Sequence, residues 1–99
     1  MKSQEANLKR NKDEGVFTVP GWICLYGHGL TRRGLQCVVL AATGKSGKQI
    51  ARELGISPGT VTNRMADARL HLKATNRTEL VAKAVAAGII AANEAEPCA

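Results

Sequence analysis

Two short amphipathic segments meet at Gly55-Ile56-Ser57, and the residues around that joint leave the chain few ways to fold. Ala51 stands four positions before Gly55, and Val61 six after it. Two helices that cross closely need a small side chain where their backbones approach. They also need a glycine able to take positive φ in the turn and a branched apolar residue to anchor the second helix. Ala51, Gly55 and Val61 meet these requirements, and Ile50, Leu54 and Ile56 fill the space between them. Ser46 is placed to cap the first helix. Ser57 is placed to cap the second, with Pro58 at its first position, where a missing N–H costs nothing. Val61, Met65, Ala68 and Leu72, spaced by 4, 3 and 4, then form one helical face.

The same signals extend to either side. Thr31 can cap a helix whose inward face is Leu35, Val38, Val39 and Ala42, with Gly44 as its stop. A further helix begins near Arg77, turns Leu80, Val81, Ala84 and Val85 inward, and frays near Gly88. Four helices with no convincing sheet predict an all-α, four-helix domain over residues 30–92. Residues 1–29 read as an N-terminal arm, polar and disordered to about residue 15, and residues 93–99 as a flexible tail. Residues 16–29 hold all three aromatics (Phe17, Trp22, Tyr26), so the helical core is left to Leu, Ile, Val, Ala and Met. Pro20-Gly21 predicts a turn after a short strand ending at Val19, followed by one helical or extended turn. Side chains this apolar need cover. Two placements answer that need: on the chain's own first helix beside Val38, or against a second protomer or partner protein, with Trp22 in the contact.

Fourteen Lys and Arg against eight Asp and Glu give a net charge of +6, and residues 30–83 hold ten of the basic side chains against only Glu53, Asp67 and Glu79. A positive field seated on the structured part favours a polyanionic partner. Ninety-nine residues exclude a multi-domain enzyme, and no carboxylate pair, Cys/His pair or Ser/His/Asp set has catalytic spacing. Cys24, Cys37 and Cys98, an odd number without Cys-x-x-Cys spacing, read as free thiols in a reducing compartment. His28 and His71 have no ligand-spaced neighbours, so no metal and no cofactor is expected. The N-terminus is polar and the longest apolar run, Ala84 to Ala92, is too short to span a bilayer, which predicts a cytoplasmic protein that does not engage membranes. Gly44-Lys45-Ser46-Gly47-Lys48 imitates a phosphate-binding loop. It lacks the required glycine at Ala42, places Gln49 where Ser or Thr is needed, and has no βαβ unit around it.

With the apolar stripes turned inward, Lys48, Arg52, Thr60, Thr62, Asn63, Arg64 and Arg69 face out. Hydroxyl, amide and guanidinium groups on one helix suit base edges and phosphates in a major groove. From Leu30 to Ile89, about 60 residues, the sequence resembles the LuxR/GerE-type helix-turn-helix domain. The matching strings are Leu30-Thr31 with Arg33, then Gly44-Lys45-Ser46-Gly47-Lys48-Gln49-Ile50-Ala51-Arg52-Glu53-Leu54-Gly55-Ile56-Ser57. Thr60-Val61, Leu72 and Asn76-Arg77-Thr78-Glu79-Leu80-Val81 follow. The joint alone also occurs in sigma-factor region 4. The Asn-Arg-Thr-Glu-Leu-Val opening of a fourth helix does not.

The resemblance implies a third helix, at about 58–73, that enters the major groove, and a fourth that often forms the dimer contact. It places Thr62, Asn63 and Ala66 where relatives touch bases, and Lys48, Thr60 and Arg64 where they touch the backbone. Lys45, Arg52 and Arg69 add charge for further phosphates. Ala82, Val85, Ala86 and Ile89 form a strip left for dimerisation once Leu80, Val81 and Ala84 point inward. Gly34 stands where the family usually has Glu, which removes the Thr31 capping box and its tie to Arg77. Thr62 replaces a usual base, Arg64 a frequent His and Ala68 the family's Ile. These features predict a sequence-specific, homodimeric transcriptional regulator on double-stranded DNA, with too few residues before the helices to hold a sensor domain. The alternative is an interaction module that antagonises a full-length regulator by heterodimerisation or contacts RNA polymerase as sigma region 4 does.

Overall fold

From Leu35 to Ala41 every residue except Gln36 is buried, so this stretch is surrounded rather than one-sided. It lies in the first of four helices: α1 (Arg32–Ala42), α2 (Gly47–Leu54), α3 (Pro58–Leu72) and α4 (Arg77–Ala86). Three strands complete the chain: β1 (Val16–Val19) and β2 (Trp22–Leu25) before the helices, and β3 (Ile90–Ala92) after them. A computed structural model describes residues 15–93. The expectations of a disordered arm to about residue 15 and of a flexible tail fall, for residues 1–14 and for residues 94–99 with Cys98, outside the described residues.

The helix starts follow the sequence. Thr31 Oγ1 accepts from Gly34 N at 3.0 Å, so the N-cap forms although Gly34 cannot close a capping box. Ser46 and Gln49 make the full reciprocal box, at 3.2 and 2.8 Å. Ser57 accepts from Thr60 N, and Asn76 from Glu79 N. Each cap satisfies an N–H that the first helical turn leaves without a partner, worth about 1 kcal/mol. Gly55 ends α2 in the left-handed region at φ 70°, where a side chain would be strained.

The expectation of a purely all-α fold needs correction. β1, β2 and β3 form one antiparallel sheet in the order β1-β2-β3, with Phe17 opposite Cys24 and Cys24 opposite Ile90. The strand to Val19 and the turn at Pro20-Gly21 stand as read, and the segment after the turn is extended. What periodicity could not reveal is the third strand, because its partner lies on the far side of four helices in sequence. The arm's first described residue is also held: Gly15 O accepts from Tyr26 N at 3.1 Å. At the other end, Asn93 N donates to Gly21 O at 2.9 Å.

One face of the sheet closes the core. Cys24, Tyr26 and Ile90 are buried with Leu35, Val38 and Val39 of α1, Ala68 of α3 and Leu80 and Ala84 of α4, while Phe17, Val19 and Trp22 pack against them. The helical part is not aromatic-free, since the Tyr26 ring joins its core and Tyr26 Oη accepts from Gln36 Nε2 at 2.8 Å. A second cluster, Cys37, Leu40, Ala41, Ile50, Ala51 and Val61, seats α2 and α3 on the opposite side of α1. Gly29, at φ 79°, brings the strand-to-helix turn against α3, where an added Cβ would lie 2.6 Å from His71 Cε1. Burial pushes the Cys24 thiol up to about 11. It raises Cys37 as well, with Arg33 and Arg64 pulling the other way. No helix of the described residues is long and apolar enough to cross a membrane.

Candidate nucleic-acid interface

The crossing of α2 and α3 fixes which side chains can meet a ligand. Val61 and Ala68 are buried in the bundle, and Met65 and Leu72 are half-buried beside them. The rest of α3 is thereby turned outward. Thr62 and Asn63 are exposed one turn above its N-terminus, and Lys48 and Arg52 are exposed on α2. Thr62 Oγ1 donates to Pro58 O at 3.1 Å, which commits its proton and leaves its methyl and oxygen lone pairs for a ligand. Thr60 is half-buried and shares a 2.9 Å hydrogen bond with Ser57 Oγ, so its hydroxyl serves the cap first.

Two of the candidate cations already hold anions of the chain. Lys45 Nζ lies 3.9 Å from Glu53 Oε2, and Arg64 Nη1 lies 3.7 Å from Asp67 Oδ2. Arg64 Nε is buried without a hydrogen-bond partner, so the guanidinium is under-satisfied where it rests. Neither acid was singled out from sequence, although the i,i+3 spacing of Arg64 and Asp67 on one helix carries the signal. Arg69 is half-buried and borders a cleft of about 340 Å³ whose other walls include Thr62 on α3 and Asn76 and Arg77 at the start of α4. Ala66 is half-buried and lies with Arg69, Leu70, Lys73 and Ala74 around a second depression.

Arg77 does not reach Thr31. It donates through Nη2 to Ala41 O at 3.3 Å and to Lys45 O, tying the start of α4 to the end of α1. With Gly34 in place of an acid, the guanidinium is satisfied by two backbone carbonyls, one in the last turn of α1 and one in the loop that follows it.

Of the strip expected to face a second protomer, Ala82, Val85 and Ala86 are exposed, and Val85, at 44%, does not join the inward face of α4 expected of it. Ile89 is not. It is 2% exposed, because its N–H bonds Ala84 O as the chain turns past α4 and drives the side chain into the core. Trp22 is half-buried against the chain's own core, the first of the two placements open to it.

A small domain whose second and third helices cross at a glycine joint, with polar side chains left on the third, defines the helix-turn-helix class. The profile of "Bacterial regulatory proteins, luxR family" matches residues 28–84, more than half of the chain, and the chain belongs to that family. It is 38% identical over 87 residues to the transcriptional activator protein LuxR of Aliivibrio fischeri strain ES114, covering 88% of this chain and 30% of that protein. The transcriptional regulatory protein FixJ of Azorhizobium caulinodans is 39% identical over 69 residues, or 70% of this chain and 33% of FixJ. The quorum sensing-dependent regulator VjbR of Brucella abortus is 41% identical over 61 residues, or 62% and 24%. Among solved structures, the phage VqmA–DPO complex matches with a TM-score of 0.59 at 25% identity, over 89% of this chain and 35% of that one. The chain thus spans about a quarter to a third of the length of these relatives.

Proposed function

We propose that this chain is a sequence-specific DNA-binding transcriptional regulator that acts as a dimer, with α3 of each protomer in the major groove. The observation that carries the reading is the exposed Thr62 and Asn63 on α3, flanked by exposed Lys48 and Arg52 on α2. Names of relatives that are transcriptional activators or regulators support it. Lys45, Lys48, Arg52, Arg64 and Arg69 supply phosphate contacts, with Thr60 beside them. Thr62, Asn63 and Ala66 meet base edges, Asn63 by a bidentate pair with adenine. Arg64 and Lys45 exchange their internal carboxylates for phosphates on binding. A single module reads few base pairs, and two-fold pairing through Ala82, Val85 and Ala86 doubles the site.

Fluorescence anisotropy of a labelled duplex against salt tests the reading. Four or five phosphate contacts per protomer give a log–log slope near −0.9 for each contact. Arg64→Ala weakens all sequences alike, whereas Asn63→Ala relaxes one base position per half-site and leaves non-specific binding nearly intact. Sedimentation of Val85→Asp with a palindromic duplex reports on pairing, and two-to-one binding equal to wild type removes this face from the dimer. A flat salt response sinks the reading and leaves the chain an interaction module for another regulator or RNA polymerase.

A further inference from the structure

Four large apolar side chains among the described residues are notably exposed: Val16 and Leu25 on the sheet, Val85 on α4, and Leu70 on α3. Leu70 is the extreme case, at 79%. It lies outside the inward stripe of α3 and follows Asn63 by seven residues and Ala66 by four, which places the three on one face of the helix. The depression it shares with Ala66 is bounded by Arg69 and Lys73, so an apolar centre carries a cationic rim. Such a rim favours a polyanion over an apolar partner. One leucine with Ala66 and Ala74 also falls far short of the roughly 800 Å² that each side of a stable protein interface buries.

We infer that Leu70 is a specificity-determining residue that extends the readout of α3 to the 5-methyl group of a thymine at the outer flank of each half-site, with Arg69 and Lys73 on the phosphates beside it. Eight residues of helix advance about 12 Å, the rise of three to four base pairs, so the Leu70 position falls beyond those met by Thr62 and Ala66. The methyl is the one apolar group a base pair presents in the major groove. The inference rests on the proposed role of α3 and is tested separately from it.

The probe is a random-sequence duplex library, selected in parallel by the full chain and by Leu70→Ala. Leucine and alanine are both good helix formers and Leu70 is mostly solvent-exposed, so the variant keeps the fold. The wild type selects a motif with a T·A preference three to four base pairs outside the Thr62 contact, and the variant loses that position alone. In the selected duplex, replacing that thymine by uracil weakens the wild type about fourfold, the worth of one buried methyl, and does not affect the variant. Identical motifs from both proteins, or equal wild-type binding to thymine and uracil, overturn the inference while the role of α3 stands. A wild type that selects no motif overturns both.

Discussion

The joint of α2 and α3 and the three-stranded sheet reach their structures by different routes. Around the joint each device is local: Ser46 and Ser57 accept from N–H groups three residues on, and Gly55 turns the chain by its own φ. In the sheet the β1–β2 hairpin is local, but β2 gains its second partner only when the segment after α4 returns, because Cys24 is paired on one side with Phe17 and on the other with Ile90. The comparison teaches where stability and recognition are divided. The joint sets the direction of α3, while the sheet supplies Cys24 and Ile90, and the bend after β2 supplies Tyr26, to the cluster that holds α1 and α4.

Removing a long-range contact is the hardest blow to that division. Ile90→Ala is expected to cost about 2–5 kcal/mol, since the side chain is 1% exposed and its loss leaves a cavity among Leu35 and Leu80. Chemical denaturation measures it, with Trp22 emission reporting on the sheet and circular dichroism on the helices. Coincident curves would make the two regions one cooperative unit. An early tryptophan transition would show that the joint stands without the sheet.

Next in size is an alkaline effect led by Cys24 on the sheet side, to which the buried Cys37 adds from the other cluster. The folded Cys24 thiol is raised to about 11 because burial disfavours the thiolate, whereas the unfolded thiol ionises near its ordinary value. The stability this provides is fully present below the unfolded value and is lost as pH rises towards 11. Melting between neutral and strongly alkaline pH follows the loss, and Cys24→Ala should flatten it. Iodoacetamide at neutral pH should likewise leave Cys24 and Cys37 unlabelled until the chain unfolds, as both are fully buried.

Smaller still is the cost of stiffening the joint. Gly55→Ala meets no atom within 4 Å, so the left-handed backbone is the only penalty, about 1–2 kcal/mol by thermal melting. Non-specific DNA affinity should persist in that variant, and readout at the Asn63 position should blur as α3 loses its fixed direction. The smallest change is at Glu79. Its carboxyl is held below the ordinary range by the Thr75 N–H at 2.7 Å and the Thr75 hydroxyl at 2.8 Å, with Lys83 nearby. Its contribution is present above the unfolded carboxylate value and fades as pH falls through the folded one. Glu79→Gln should therefore lower stability at neutral pH and flatten its fall on the acid side, without moving the alkaline side.

The same contrast explains what was legible beforehand. Ser46, Ser57 and Thr31 announce helix starts by residue type, and Val61, Met65, Ala68 and Leu72 announce a buried face by spacing, so the four helices were readable. Ile90-Ala91-Ala92 follows an Ala-rich helix and has no strand signature of its own. It becomes a strand because β2 offers an unpaired edge. Ile89 was misplaced for the same reason: continuing the α4 periodicity past Gly88 turns it outward, whereas the chain there has already left the helix. At the interface, residue type identified Thr62 and Asn63 as outward groups. It did not show that Asp67 and Glu53 hold Arg64 and Lys45, which depends on how long side chains settle in space.

The strand order has a mechanical consequence. β1 and β3 flank β2 and run in the same direction, so the chain enters the sheet beside Leu25 and leaves it beside Trp22. Tension applied at residues 15 and 93 therefore passes from β1 through β2 to β3, pulling the strands lengthwise against their hydrogen bonds. The load path closes within the sheet and bypasses the four helices. Whatever tugs on the ends of this domain strains its fastening while leaving the orientation of α3 undisturbed until the strands let go.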